Sequence, residues 1–449
     1  MPKVNVEGMY PPVKRLVAET MEQAQMQPDS AEAAGRLGMV LLAHRFPDVA
    51  EPCFERARRL NPNDERWHYY KGVICQRKKD FACAAEAFQR ALGIKGDLFA
   101  AKVLLGESLF GMGDLSGSRE WFESALKDRE NAPRPRFGLA MVSLKEDKLE
   151  AARKDLESLV AAYPRYDEAK FTLGNLYRRQ GEAAKAAALV AGYERSRSAE
   201  PTPAPFDDPL MREVNKLNVG PDAVRQRARR LASSGRLPAA IRLIEEGLRE
   251  DPKQAPFHLD LVVLYGNAEM FDKAEASYQA ALKTLPNDPT PHEAYGMMQL
   301  KRKDLPAAIA AFTKAIEAGP TLSSARFRLA QCLVKVGKKK EAEEQYRKVL
   351  ESERHIQASV DLGLLLSAEG RHAEALPFLL AGQDQRVQDE AKLYHALGLA
   401  YEAAGKAELA QENLLRSKVI AAAQAHRADP ALKSRSSARA GASARGRLR

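Results

Sequence analysis

The chain has 449 residues, with 70 Lys and Arg against 60 Asp and Glu, which gives a formal net charge of +10. Hydrophobic residues make up 45% and charged residues 29%, a balance that excludes a collagen-like or wholly disordered chain. No apolar run reaches the ~20 residues of a membrane-spanning helix, and the first residues lack the apolar stretch of a secretory signal. We therefore expect a cytoplasmic protein. Alanine occurs 74 times, which favours an all-helical fold because alanine is the strongest helix former.

A pattern with a period of 34 residues runs through most of the chain. Each unit has a small residue at its eighth position, another at its twentieth and a large apolar residue at its twenty-fourth. Small residues let two helix backbones approach closely, and the large residue fills the space beside them. Each unit is therefore predicted to be a pair of antiparallel helices. The eighth positions are Gly38, Gly72, Gly106, Ala140, Gly174, Ala228, Val262, Gly296, Ala330, Gly363 and Gly398, with one-residue slips at the last two.

These positions, with Pro at position 32 of several units, resemble the tetratricopeptide repeat (TPR). Residues 173–177 (Leu-Gly-Asn-Leu-Tyr) are similar to the first helix of that family, and residues 308–316 are similar to its second helix. The resemblance implies an all-α solenoid, a right-handed superhelix of helix-turn-helix repeats. Glycines such as Gly113 and Gly337 stand between the two helices of a unit, where a left-handed residue closes the first helix.

Five segments follow in chain order. Residues 1–30 contain a helix, at 12–27, that caps the first array. Residues 31–200 form array 1 with five repeats, and residues 221–426 form array 2 with six. Residues 201–220 form a Pro-rich linker with a short helix at 208–218, capped by Asp208; we expect this helix to brace array 2, the alternative being a loose linker. Residues 427–449 form a basic tail that is expected to be disordered.

The chemistry-bearing residues give no sign of an enzyme. The sequence lacks a phosphate-binding loop, a zinc-protease motif and a nucleophile elbow, and nearly every residue belongs to a repeat. We expect no catalytic residues, no cofactor and no metal site. His258 and His292 share a repeat position, but a third ligand is not evident. The cysteines form no C-x-x-C pair and are expected to be reduced, packed thiols; they are Cys53, Cys75, Cys83 and Cys332.

The family resemblance also implies a concave face formed by the first helices. Positions 2, 5, 9, 12 and 13 of each first helix line that face, and we call the surface they form the A face. Apolar side chains beside Arg and Lys there predict a site for a peptide or a helical segment of a partner protein. The alternative is that the superhelix closes on itself or that a terminal helix fills the groove. The predicted partner-binding residues are Tyr69, Val73, Arg77, Val103, Phe110, Phe137, Met141, Phe171, Asn175, Arg178, Met297 and Phe327.

Basic residues suggest a second class of function. Residues 427–449 carry six Arg and one Lys against one Asp, a net charge of +6. Together with an Arg-rich helix around Arg225 and Arg229, they could bind nucleic acid or another acidic polymer by counterion release. The alternatives are a solubilising tail and an ordinary solvated helix, and the tail has no aromatic residue for stacking on bases. A third possibility is a targeting arm for an enzyme on a separate polypeptide. A non-enzymatic protein-binding scaffold is the preferred prediction.

Overall fold

The computed structural model describes residues 4–187, 189, 206–353, 355–383 and 387–428. In these ranges the secondary structure is helical and no residue lies in a strand. The predicted all-α fold is therefore confirmed. The chain divides into two compact units, residues 1–223 and residues 224–449.

The first unit holds a leading helix, five helix pairs and one further short helix. We call the first member of each pair the A helix and the second the B helix. The leading helix α1 packs against α2 and buries Val13 and Val17. The helices are α1 (Pro11–Met26), α2 (Ala31–Ala43), α3 (Pro47–Leu60), α4 (Glu65–Arg77), α5 (Phe81–Ile94), α6 (Phe99–Met112), α7 (Leu115–Asp128), α8 (Pro133–Lys145), α9 (Leu149–Ala162), α10 (Asp167–Arg179), α11 (183–187) and α12 (Pro209–Lys216).

The second unit holds six A–B pairs, and the first of these helices, at residues 221–233, crosses the boundary between the units. Successive A helices begin within one residue of the 34-residue spacing seen in the sequence. The helices are α13 (Pro221–Ser233), α14 (Leu237–Glu250), α15 (Ala255–Asn267), α16 (Phe271–Thr284), α17 (Thr290–Arg302), α18 (Leu305–Ala318), α19 (Ser323–Lys335), α20 (Lys339–Ser352), α21 (Ile356–Ala368), α22 (His372–Leu380), α23 (Glu390–Ala403) and α24 (Ala407–Ala428).

Positions 8 and 24 lie against each other in six described repeats, those of Gly38, Gly72, Gly106, Gly296, Gly363 and Gly398. A Cβ atom added to Gly106 would lie 2.8 Å from the ring of Phe122, and one added to Gly296 would lie 2.7 Å from the ring of Phe312. Both rings are buried. A side chain at these glycines would push the ring away, so the A and B helices could no longer approach so closely. The small and large residues of the repeat pattern are therefore direct partners.

The turn from A helix to B helix has one conformation in every repeat. Position 15 takes a positive φ in all eleven repeats, and only six of these residues are glycines. A residue with a Cβ atom pays roughly 1 kcal/mol or more for this left-handed conformation. The glycines made these turns visible in the sequence, whereas the other five could not be recognised by residue type. The five are Arg45, Lys79, Asp147, Glu269 and Lys303.

Position 4 links one repeat to the repeat before it. Nε2 of His68 donates a hydrogen bond to the carbonyl oxygen of Pro62, at 3.0 Å, and Nε2 of His258 does the same to Pro252, at 2.9 Å. The guanidinium group of Arg326 donates to the carbonyl of the equivalent proline, Pro320. These histidines thus serve the stacking of repeats.

Candidate partner-binding faces

Residues 206–219 lie on the A face of array 1, and we call them the covering segment. The segment forms the predicted short helix, α12, and the side chain of Asp208 caps it by accepting a hydrogen bond from the Met211 amide at 2.9 Å. The expectation that this helix braces array 2 is wrong, because α12 belongs to the first unit, where it packs on α2 and bonds to α4. Val214, its inward-facing residue, is completely buried. The linker residues 201–205 lie outside the described residues.

A tyrosine–carboxylate contact anchors the start of α12. The hydroxyl of Tyr69 donates to Oδ2 of Asp208 at 2.5 Å, and the hydroxyl of Tyr70 donates to the carbonyl oxygen of Leu210 at 3.2 Å. Burial raises the pKa of Asp208, against the lowering effect of the hydrogen bonds that its carboxylate accepts. Burial, together with the charge of Asp208, holds the pKa of Tyr69 well above its usual range. The contact joins residues 139 positions apart.

Aromatic and charged groups hold the residues that precede α12. The ring of Phe206 lies 6.3 Å from that of Phe99, and the guanidinium of Arg134 lies 4.2 Å from the Phe206 ring centre. Arg134 is itself fixed by a two-pronged contact with Glu107, at 2.5 and 2.8 Å. Asp207 pairs with Arg129 of the same region at 2.8 Å. An aromatic ring on a guanidinium plane and a carboxylate beside a second arginine are both favourable contacts.

The other end of the segment reaches the end of α2. The amide of Val219 donates to Nε2 of His44 at 3.2 Å, while Nδ1 of His44 donates to the carbonyl oxygen of Val40 at 2.8 Å. These two contacts require the neutral ring, and burial accordingly lowers the pKa of His44. The segment therefore runs from α6 and α8 back to α2, opposite to the order of the repeats.

Several predicted partner-binding residues of array 1 are not open to a partner in this structure. Tyr69 and Val73 are covered by the segment and are 0% and 6% exposed. Val103 lies in a buried cluster with Phe99 and Phe122. Phe137 is buried against Tyr166, with ring centres 5.3 Å apart. These four side chains are buried in this structure because large apolar side chains at A-face positions also pack against neighbouring helices or the covering segment. Their role in partner binding stays a prediction.

The remaining predicted residues of array 1 keep more of their surface. Phe171 is 46% exposed, and Arg77 and Arg178 are also exposed. Phe110, Met141 and Asn175 are half-buried. Their role in partner binding stays a prediction.

The A face of array 2 presents apolar side chains on three consecutive A helices. Val263 on α15 is 44% exposed, Met297 on α17 is 39% exposed and Val334 on α19 is 39% exposed. Lys301 and Lys335, both exposed, follow Met297 and Val334 on the same helices. The predicted site residue Phe327, by contrast, is buried, 6.1 Å from Tyr346 between ring centres. The family resemblance indicated these positions but could not tell which of their large residues pack inward.

A cleft continues this face between α21 and α23. It has a volume of about 520 Å³, and α21 and α23 pack directly on each other. Leu364 and Leu399 occupy position 9 of their repeats, the same position as Val263 and Met297, and both line the cleft. Apolar side chains at position 9 thus recur on α15, α17, α21 and α23.

On α19 the residue at position 9 is polar, and this interrupts the row of apolar side chains. Gln331, at position 9, donates to Oδ2 of Asp361 at 3.1 Å, and Gln357 donates to Oδ1 at 2.7 Å. Arg328 donates to the amide oxygen of Gln331 at 3.1 Å. Burial raises the pKa of Asp361, although these hydrogen bonds lower it. The network therefore places polar and charged side chains in the middle of this face.

Two arginines of the Arg-rich helix, which was predicted to bind an acidic polymer, form ion pairs within the fold. Nε of Arg225 lies 2.6 Å from Oδ2 of Asp260, and Arg229 lies 3.6 Å from the same carboxylate. Arg225 is therefore neutralised within the repeat stack. Residues 429–449, most of the basic tail, lie outside the described residues.

The cysteines differ from the expectation in one pair. Cys75 and Cys83 form a disulfide between α4 and α5, with Cα atoms 5.8 Å apart, so the prediction of reduced thiols is wrong there. Cys53 and Cys332 are free and buried as expected, and burial raises the pKa of Cys53 to about 11. Disulfides are typical of oxidising compartments, so this bond gives no support to the cytoplasmic expectation.

The described part of the chain contains no candidate metal site and no candidate membrane-spanning helix. Within it, no three His, Cys, Asp or Glu side chains are grouped so that they could hold a metal ion. Nor does any of its helices combine the length and apolar character needed to cross a membrane. His292, one of the histidine pair considered above, makes a hydrogen bond with the Tyr278 hydroxyl at 2.8 Å.

Comparison with known proteins identifies the repeats. A tetratricopeptide-repeat model matches residues 24–98 and 137–201, and a second such model matches residues 231–297 and 299–358; together they span more than half of the chain. A TPR repeat-containing protein of Methanocaldococcus jannaschii is 25% identical over 169 residues, 37% of this chain and 29% of that protein. The chain thus spans less than a third of that relative's length.

Three solved structures with a similar fold are distant in sequence. Pseudomonas aeruginosa PilF is 19% identical with a TM-score of 0.40, covering 44% of this chain and 90% of that chain. PilW, a type IV pilus biogenesis factor, is 23% identical with a TM-score of 0.37, covering 44% and 92%. YrrB, a TPR protein with an unusual peptide-binding site, is 21% identical with a TM-score of 0.31, covering 42% and 97%. These likenesses concern the fold alone.

Proposed function

The chain belongs to the tetratricopeptide-repeat family, whose members are generally non-enzymatic protein-interaction scaffolds, and we propose that it binds a helical or extended segment of a partner protein on the A face of array 2. One observation carries this proposal: Val263, Met297 and Val334 expose apolar surface on three consecutive A helices. An apolar side chain exposed once is ordinary, but a row of them on a rigid repeat stack suits a continuous ligand.

The charges beside this row define the partner further. Lys301 and Lys335 stand at position 13, next to the exposed apolar side chains of their own helices. Carboxylates on a bound segment would meet these ammonium groups, while its apolar side chains would cover Met297 and Val334. The partner segment is therefore amphipathic and acidic. Because the repeats hold the face in place, binding orders only the partner, which limits the entropy cost.

Three predicted partner-binding residues of array 1 lie outside the helices that the covering segment contacts, and they extend the proposal. The segment contacts α2, α4, α6 and α8, whereas Phe171, Asn175 and Arg178 lie on α10. We keep these three as proposed contacts for a partner of array 1.

The experiment starts from peptides selected against the intact chain in a peptide-display library. Binding of the selected peptides is then measured on the double variant Val263→Glu/Met297→Glu. We expect at least a tenfold loss of affinity, because two apolar contacts are replaced by carboxylates that repel an acidic ligand; tenfold corresponds to about 1.4 kcal/mol.

The matched control is Leu415→Glu/Val419→Glu on α24. Both residues are apolar and more exposed, at 63% and 61%, and both lie on a B helix, away from the A face. This variant should bind the selected peptides as the wild type does. If the peptides bound the Val263/Met297 variant unchanged, or lost affinity equally for the α24 variant, the proposed face would be wrong.

A further inference from the structure

The covering segment lies where a ligand of array 1 would lie. Tyr69, Val73, Gln76 and Arg77 hold positions 5, 9, 12 and 13 of the second repeat, which are all A-face positions. The segment contacts Tyr69 directly, and a cleft of about 470 Å³ between the segment and the array is lined by the other three. We propose that residues 206–219 are an intramolecular stand-in for a partner segment, which binds the same face by displacing them.

The contacts of the covering segment specify the chemistry of that partner. An aromatic ring lies against Arg134 and Phe99, as Phe206 does. Two acidic residues follow: the first meets Arg129, and the second caps a short helix while accepting a hydrogen bond from Tyr69. An apolar residue six positions after the cap, equivalent to Val214, is completely buried, and its helix packs on α2. The partner is thus an acidic segment led by an aromatic residue and continuing into a short helix.

The covering segment is held weakly enough to be exchanged. Helix α12 has eight residues, and isolated helices shorter than about 12 residues are marginal in water. The Arg129–Asp207 pair leaves 43% and 38% of its side chains exposed, and exposed pairs of this kind contribute little to stability. The hydroxyls of Tyr69 and Tyr70 can bond to water when the segment is away, so the uncovered face has no orphaned polar groups.

Tethering explains why the face is nevertheless covered. A segment joined to its site by the chain has an effective concentration on the order of millimolar. An external segment of equal intrinsic affinity must overcome that advantage. Weakening the tethered segment therefore strengthens binding of the external one, and this reciprocal effect distinguishes competition for one face from binding elsewhere.

The test uses the full chain and a labelled synthetic peptide with the sequence of residues 206–219. Its affinity is measured on the wild type and on Phe206→Ala/Val214→Ala, which removes the two main anchors of the tethered segment and leaves the A face intact. The variant should bind the peptide at least tenfold more tightly. A peptide carrying the same two substitutions should bind neither protein.

The matched control is Glu213→Ala/Lys216→Ala. These residues are exposed on the same helix and pair with each other at 2.6 Å, so the control should bind the peptide no better than the wild type. Fluorescence of Trp67 and Trp121, both in array 1, checks that the array stays folded in each variant. Equal affinity for wild type and anchor variant, or no binding to either, would overturn the proposal. So would a wild-type dimer that the anchor variant loses, since the covering segment would then come from a second copy.

Discussion

Arrays 1 and 2 are built from the same repeat and differ in what lies on their A faces. In array 1 the residue at position 9 of the second repeat, Val73, is 6% exposed, because α12 and its flanking residues lie over it. In array 2 the equivalent residue of the second repeat, Val263, is 44% exposed. The repeat sequence is apolar at both places. What separates a buried side chain from a candidate binding residue is a segment more than 130 residues away in sequence, which no repeat pattern describes.

The largest predicted effect concerns what the arrays share. Phe122→Ala and Phe312→Ala each remove a buried ring packed on a position-8 glycine, and each should lower the free energy of unfolding by about 3–5 kcal/mol. Urea denaturation checks this, with tryptophan fluorescence following array 1, which holds both tryptophans of the chain, and circular dichroism following both arrays. A cost below about 1 kcal/mol in one array would show that its repeats pack by a different rule.

The second prediction concerns the difference between the A faces of the two arrays. Val73→Glu places a carboxylate beneath the covering segment and should cost about 2–4 kcal/mol, because a buried charge without a partner is strongly unfavourable. Val263→Glu, the same change at the same repeat position, should alter the stability by no more than about 0.5 kcal/mol. Urea denaturation of both variants is the measurement. Equal costs would mean that the covering segment does not distinguish the two faces.

The third prediction tests the turn that every repeat shares. Lys79 in array 1 and Lys303 in array 2 both have a positive φ at position 15. Replacing either by glycine relieves the strain of the left-handed conformation, so each variant should gain up to about 1 kcal/mol. Thermal denaturation of the two variants should show similar gains, since the effect is local. A loss of stability in either would show that the lysine side chain contributes more than its backbone strain costs.

The smallest effect is a pair of opposite pH dependences. Hydrogen bonds from Arg371 and Arg347 hold the pKa of Glu343 in array 2 at about 2, against the effect of burial. Its stabilising contribution is therefore present above pH 4.5, the ordinary value, and is lost as the pH falls toward 2. Burial raises the pKa of Asp208 in array 1 above its usual 3.8, so the folded state binds its proton more readily, and the contribution of this group falls as the pH rises through that range.

Urea denaturation as a function of pH separates the two groups. The wild type should lose stability between pH 4.5 and 2 because of Glu343, and Glu343→Gln should lose less. The wild type should gain stability on acidification from neutral pH because of Asp208, and Asp208→Asn should gain less. Dependences of the same sign would contradict one of the two assignments.

The sequence determined the repeats because their physics is local. The spacing of Gly106 and Phe122, or of Gly296 and Phe312, records a contact between two helices that follow each other in the chain, so a single period revealed the fold. The resemblance to the family also indicated the A-face positions, since position within a repeat decides which side of a helix a residue occupies. It could not show that Phe137 and Phe327 pack inward, because a large apolar residue suits a core and an interface equally well.

Only the tertiary structure decided which face is covered. The sequence predicted the short helix capped by Asp208 but assigned it to array 2, because helix propensity and capping act over a few residues and contain no information on where the helix docks. The contact of Asp208 with Tyr69 spans 139 residues. Long-range placement of this kind depends on the complementarity of surfaces that form only after the repeats have stacked.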